Sequence, residues 1–269
     1  MFTKKNKLSF LLVFILVAIL FGLNKTTTQL ISIDYVVREY EIPLYLKLYN
    51  FYGRHLNYKF LVNEITKNSD SDLDKVLDIS KWLNNNIKKV PKGVEVIDSH
   101  PLTIVDRRLG TKDQFSDLLS VMLVYAGIDS FFWVENKRSI VELSAFIERY
   151  PKALTFFKLN GSWSIIDPYY GVVFLNRRGK IASIQELKNE DWGLFTFELQ
   201  SIDVKNFKSI FYNNFDDFKQ VKENYMNLFS QIPTQEMINM TNSFELGGRS
   251  FTQSPLGRLK FRFRSLLYE

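Results

Sequence analysis

The sequence predicts an α+β protein behind an N-terminal apolar helix, and three observations lead there. A lysine-flanked apolar run opens the chain. Helical spacing of three and four recurs in two segments before residue 127. Short apolar segments separated by turn dipeptides then follow as far as Leu175, which suits antiparallel strands.

Lys4, Lys5 and Lys7 precede the run Leu8 to Leu23, and Lys25 follows it, the layout of a signal sequence or membrane anchor. As a helix the run rises about 24 Å, slightly short of a hydrocarbon core of about 30 Å, a gap that snorkelling lysines and local thinning can close. Phe21-Gly22-Leu23-Asn24-Lys25 offers no small-x-small cleavage site, so the segment is expected to be retained. Membrane contact is assigned to Leu8 through Leu23. The lysines before the run predict a single-pass protein with its N-terminus in the cytoplasm and its main domain periplasmic or extracellular.

The composition is that of a folding chain. Of 269 residues, 46% are hydrophobic and 24% charged, well away from disordered compositions. The absence of cysteine excludes disulfides, thiolate metal sites and a cysteine nucleophile within this sequence. A net charge of +6 would favour an anionic lipid, polysaccharide or nucleic acid without choosing among them. The only two histidines, His55 and His100, have no ligand-like neighbours, so neither a metal nor a cofactor is expected.

Residues 26–69 are rich in aromatics without a clean period, and are read as a mixed lead-in packing on the main domain. Asp70, Asp72 and Asp74 resemble the opening of a calcium loop, but Lys75 and Lys81 stand where glycine and glutamate are required. Ser71 with Asp74 fits a helix cap instead. Leu73, Val76, Leu77, Leu83 and Ile87 then share one face of a helix ending near Lys88-Lys89.

An extended stretch with Pro91 and Pro101 leads to Gly110-Thr111-Lys112-Asp113. There a second helix begins, apolar at Phe115, Leu118, Leu119, Met122, Leu123 and Ala126 and ended by Gly127. Ile128 to Val134 reads as a strand, Ser139 to Tyr150 as a helix, and Leu154–Leu159 with Trp163–Asp167 as a hairpin turned by Asn160-Gly161. Gly171 to Leu175 is a further strand before the Arg177–Lys180 turn. An amphipathic helix is expected from Asn206 to Ser230, broken at Pro233. Beyond it Arg258–Arg264 alternates basic and apolar residues, as in a strand with one charged face or a segment against an acidic surface.

In this order the elements resemble the transglutaminase-like superfamily, whose fold is related to papain. Trp82-Leu83-Asn84-Asn85-Asn86-Ile87 is similar to the end of the family's first helix, and Gly110-Thr111-Lys112-Asp113-Gln114-Phe115-Ser116 to the glycine-x-cysteine motif that opens its nucleophile helix. Lys152 through Trp163 has the length and ending of the strand pair that normally begins with histidine, and Trp163 through Gly171 matches a tryptophan-x-x-x-aspartate-proline pattern. The resemblance implies a nucleophile-type helix packed on an antiparallel sheet. It divides the chain into a cytoplasmic tail (1–7), a transmembrane anchor (8–24), a lead-in (25–69), a transglutaminase-like domain (70–190), and a C-terminal helical extension with a basic tail (191–269).

The family's chemistry pairs a thiolate at a helix N-terminus with a histidine held by aspartate. Residue by residue, Lys112 falls at the cysteine position and Lys152 at the histidine position, while Asp167 is retained. A lysine at a helix N-terminus cannot attack an amide while it holds its proton, so the usual acyl transfer is expected to be absent. Ser116, one turn after Lys112, is the fallback nucleophile of a serine–lysine hydrolase or amidase, although a small residue there also suits packing. The leading expectation is a non-catalytic binding or assembly protein of the bacterial cell envelope, related to surface polysaccharide or secretion. Its partner would be a protein or an anionic polysaccharide or lipid. Nucleic acid is suggested by charge alone and disfavoured by the topology.

Overall fold

A computed structural model describes residues 4–33, 36–91, 94, 101–134, 153–189, 193–196 and 218–240. Helix α1 (Lys4–Leu23) leads into a hairpin of β1 (Thr26–Ile33) and β2 (Val36–Pro43), and then into α2 (Leu44–Ile65). The lead-in is therefore more regular than its aromatic sequence suggests: a two-stranded ribbon and a 22-residue helix. The side chains of α1 are described from Phe10 onward, and most of them are exposed. Among the described residues, no helix is long and apolar enough to cross a membrane.

Helix α3 (Asp72–Asn86) starts as the sequence indicates, the Ser71 hydroxyl accepting the Asp74 N–H at 3.1 Å. Its buried face is Val76, Ile79, Ser80 and Leu83. Leu73, expected inward, is 39% exposed because it precedes the turns that pack on neighbouring helices. The helix also stops earlier than expected. Ile87 adopts an extended backbone, and Lys88–Lys89 forms β3, paired in parallel with β4 (Leu109–Gly110). Pro101, placed by its sequence in an extended stretch, instead opens helix α4 (Pro101–Arg107), the first-turn position where its missing N–H costs nothing.

Helix α5 (Lys112–Tyr125) is buried at every position from Gln114 to Val124, and Gly127 follows it in the left-handed region at φ 88°. Beyond it lies a five-stranded antiparallel sheet: β5 (Ser130–Val134), β6 (Ala153–Leu159), β7 (Ser162–Asp167), β8 (Val172–Leu175) and β9 (Gly193–Thr196), in sequence order. Asn160 and Gly161, at φ 50° and 84°, make the tight β6–β7 turn that the dipeptide forecasts. Strand β5 begins two residues later than the apolar run, at Ser130.

The sheet is covered on both faces, and successive side chains divide between them. Phe157, Ile166 and Val173 join Phe115, Leu118 and Leu119 of α5, with Tyr58 and Val62 of α2, in one core. Phe156, Ile165 and Phe174 join a second core on the other face. There α6 (Ile184–Lys188), α7 (Phe218–Gln231) and α8 (Gln235–Met240) supply Ile184, Leu187, Tyr225, Leu228, Phe229 and Ile238. Helix α6 and strand β9 were not marked out in the sequence as separate elements. Of the helix expected from Asn206 to Ser230, the part from Phe218 is described and ends one residue later than expected. The expected helix Ser139–Tyr150, His100 and the alternating segment Arg258–Arg264 lie outside the described residues.

Leu119→Ala should cost about 2–5 kcal/mol of unfolding free energy in urea titrations of the full chain in detergent micelles, whereas Leu73→Ala should cost less than about 1 kcal/mol. Equal losses would contradict the observed facing of α3 and α5.

Candidate functional site

The N-terminus of α5 is built by its neighbours. Arg107 donates from Nε to the Leu109 carbonyl at 2.7 Å and from Nη2 to Gln114 Oε1 at 2.7 Å, and the same Gln114 oxygen accepts the Thr111 N–H at 3.0 Å. The Thr111 hydroxyl bonds the Asp113 carboxylate. Gly110 is closely packed: a Cβ there would stand 3.1 Å from the Phe115 ring and 3.4 Å from Ile104, so either side chain would have to give by a few tenths of an ångström. The glycine of the Gly110-Thr111-Lys112 motif thus admits Phe115, which in turn meets Tyr169 edge to face with ring centroids 5.3 Å apart.

At this end of α5, Lys112 Nζ lies 5.1 Å from the Tyr170 ring centroid and 5.7 Å from that of Tyr169. A second lysine shares the rings. Lys89 Nζ is 4.7 Å from the Tyr169 centroid and 5.1 Å from that of Tyr170. The β3–β4 pairing brings it there, with Lys88 N–H donating to the Arg108 carbonyl at 2.8 Å and Val90 N–H to the Gly110 carbonyl at 3.1 Å. The two ring faces therefore attract two ammonium groups whose mutual repulsion opposes the arrangement. Burial pushes the Lys89 ammonium below its ordinary pKa; Asp167 works against that shift and Lys112 works with it.

Asp167, at the end of β7, is buried and accepts the Tyr225 hydroxyl at 2.9 Å and the Tyr170 N–H at 3.2 Å. Burial raises its carboxyl above the usual carboxylate range, and these two hydrogen bonds, then Lys112 and Lys89, pull it back. Gly171, at φ 64°, turns the chain into β8 beside the Asn84 side chain.

The structure thus brings Lys112 and Asp167 to one end of the α5–sheet interface. Lys152 lies outside the described residues. Ser116 does not open onto this end: it is fully buried, its carbonyl accepts the Thr155 hydroxyl at 3.0 Å, and its own hydroxyl has no hydrogen-bond partner among the described residues. His55 bonds the Tyr125 hydroxyl at 3.0 Å. Lys89 and Tyr225 escaped the sequence reading. Lys89 was read as the end of a helix, and its contact depends on a two-residue parallel bridge with no local signature. A groove of about 1070 Å³ opens elsewhere, between the start of α3 and the β6–β7 hairpin, with Leu73, Leu77, Leu159 and Ile181 among its walls and neither lysine nor Asp167.

A buried helix is thus laid on an antiparallel sheet, with its N-terminus facing an aspartate at a strand end. Residues 59–168 match the family model described as the transglutaminase-like superfamily. Among solved structures, the chain is similar to one titled as a candidate protease from Parabacteroides distasonis, at 18% identity and TM-score 0.32, covering 52% of this chain and 35% of that one. It is also similar to a candidate cysteine protease from Cytophaga hutchinsonii, at 17% identity and TM-score 0.34, covering 53% of this chain and 48% of that one. This chain therefore spans less than half the length of either. No curated protein matches it significantly.

Lys112→Cys would introduce the chain's only thiol, so iodoacetamide alkylation reports on it alone. At a helix N-terminus beside Lys89, the alkylation midpoint should fall below the ordinary thiol value of about 8.5, and Lys89→Met should move it back upward. A midpoint at the ordinary value in both variants would contradict the geometry.

Asp167 also sets a pH dependence. Its folded pKa lies above the unfolded one, so as pH rises the unfolded chain ionises first. The associated stability is complete below the ordinary carboxylate value and is lost as pH rises through the raised value. Urea midpoints of the wild-type chain should therefore decline across this window relative to those of Asp167→Asn, and parallel pH profiles would count against the raised pKa.

Proposed function

We propose that this protein is a membrane-anchored, non-catalytic member of the transglutaminase-like superfamily, acting in binding or assembly at the bacterial cell envelope. The observation that carries the reading is Lys112 at the first position of α5, where the motif places a cysteine, sharing Tyr169 and Tyr170 with Lys89. A papain-like site requires a nucleophile that can bear negative charge and a base that accepts a proton near neutral pH. A lysine pair over two aromatic rings has the opposite character, suited to an anionic group on a protein, polysaccharide or lipid. The sequence between residues 59 and 168 contains no cysteine that could substitute.

The anchor belongs to the same reading. The apolar side chains of α1 from Phe10 to Phe21 are largely exposed, and the lysines before them favour a cytoplasmic N-terminus with the remainder outside. Burial of Ser116 disfavours the alternative of a serine–lysine hydrolase in the same cleft, because a substrate carbonyl would have to reach a fully buried hydroxyl of α5.

The detergent-solubilised full chain should show no transamidation, amidase or peptidase turnover above background. In cell membranes the protein should resist extraction by alkaline carbonate. Hydrolysis abolished by Ser116→Ala or Lys112→Ala would overturn the non-catalytic reading, and release of intact protein by carbonate would overturn the anchor.

A further inference from the structure

Helix α2 has two apolar faces, and the fold covers one of them. Tyr58 and Val62 are fully buried against α3 and α5. On the opposite side Tyr45, Tyr49, Tyr52, Leu56 and Phe60 follow one another at helical spacing and are 49%, 74%, 61%, 46% and 69% exposed. The stripe runs about 22 Å along the helix. Isolated exposed apolar residues are ordinary on a protein surface, whereas a continuous row marks a contact surface.

We propose that this face of α2 lies in the headgroup region of an anionic bilayer, the same bilayer that α1 enters. The inference rests on the reading of α1 as a membrane anchor and adds a second contact to it. Three observations identify a bilayer as the occupant. The first is position: the Leu44 N–H donates to the Lys25 carbonyl at 2.9 Å, Thr26 pairs with Pro43, and Lys47 Nζ donates to the Thr28 carbonyl at 2.6 Å. The first turn of α2 is thereby bonded to the residues that leave α1, and must stand where α1 leaves the membrane.

The second is side-chain chemistry. The exposed row begins with three tyrosines, whose rings prefer the boundary between headgroups and acyl chains because one end is apolar and the other hydrogen-bonds. A self-associating helix seam would instead favour branched aliphatic side chains at these positions. The third is charge: Lys59 stands exposed beside Phe60 in the row, and the helix carries no carboxylate before Glu64 in its last turn, so the row itself complements anionic lipid.

The absence of native cysteine permits a direct test. Full-length Tyr49→Cys, Phe60→Cys and, as a control on exposed α3, Lys81→Cys are nitroxide-labelled and reconstituted in phosphatidylcholine vesicles containing phosphatidylglycerol. Power saturation then compares access of oxygen and of an aqueous nickel chelate. Labels at 49 and 60 should be about tenfold less accessible to nickel than the label at 81, with oxygen access raised, as expected for side chains at the headgroup and acyl boundary. If carbonate extracts the reconstituted protein, both the anchor reading and this inference fall. Carbonate-resistant protein whose labels at 49 and 60 meet nickel as freely as the label at 81 overturns this inference alone. Spin–spin broadening at 49 and 60 that grows with the protein-to-lipid ratio also overturns it, in favour of a second copy on this face.

Discussion

Everything else in the domain is arranged around the burial of α5. A helix that is apolar or sealed on all sides can exist only inside other layers, and here α2, α3 and α4 enclose it on one side while β5 to β7 floor it on the other. Its length fixes the position of its N-terminus, and that terminus carries Lys112. The Arg107–Gln114 contact and the close approach of Phe115 to Gly110 hold this end in register with the strand that delivers Asp167. The geometry at this end of α5 thus follows from packing.

The residues around this end serve the fold: Gly110 lies close to the Phe115 ring, the Ser116 carbonyl accepts the Thr155 hydroxyl of β6, and Gly171 turns the chain beside Asn84. Asp167 keeps its place through Tyr225 and the Tyr170 N–H, neither of which needs a histidine. The lysines are accommodated by π faces and by the nearby carboxylate, at the cost of repelling one another and of partial desolvation of Lys89.

The sheet also ties the C-terminal elements to the site. Its second face is closed by α6, α7 and α8, and Tyr225 of α7 reaches Asp167, while Gln235 Oε1 accepts the Trp163 N–H at 2.8 Å. Residues beyond the superfamily segment therefore complete both the core and the hydrogen bonding of the aspartate. The helix α2, in contrast, is held by one face and among the described residues leaves the other open, so its exposed aromatics are not accounted for by the described core.

The sequence by itself determined the elements whose causes are local. Ser71 capped its helix, Asn160-Gly161 turned its hairpin, and the three-and-four spacing of Phe115 to Leu123 marked α5, because caps, turns and helical faces are set within a few residues. The order of these elements was enough to suggest the family whose model matches residues 59–168. Tertiary structure decided what depends on distant pairing. Strands buried on both faces read as continuous apolar runs, so the sequence could not show that α6 to α8 form a second layer. Lys89 entered the site through the parallel β3–β4 bridge, Tyr225 through packing across the sheet, and Leu73 is left on the wall of the open groove facing the β6–β7 hairpin, without its expected burial. A side chain's chemistry is written at its own position, but its surroundings are supplied by residues far along the chain.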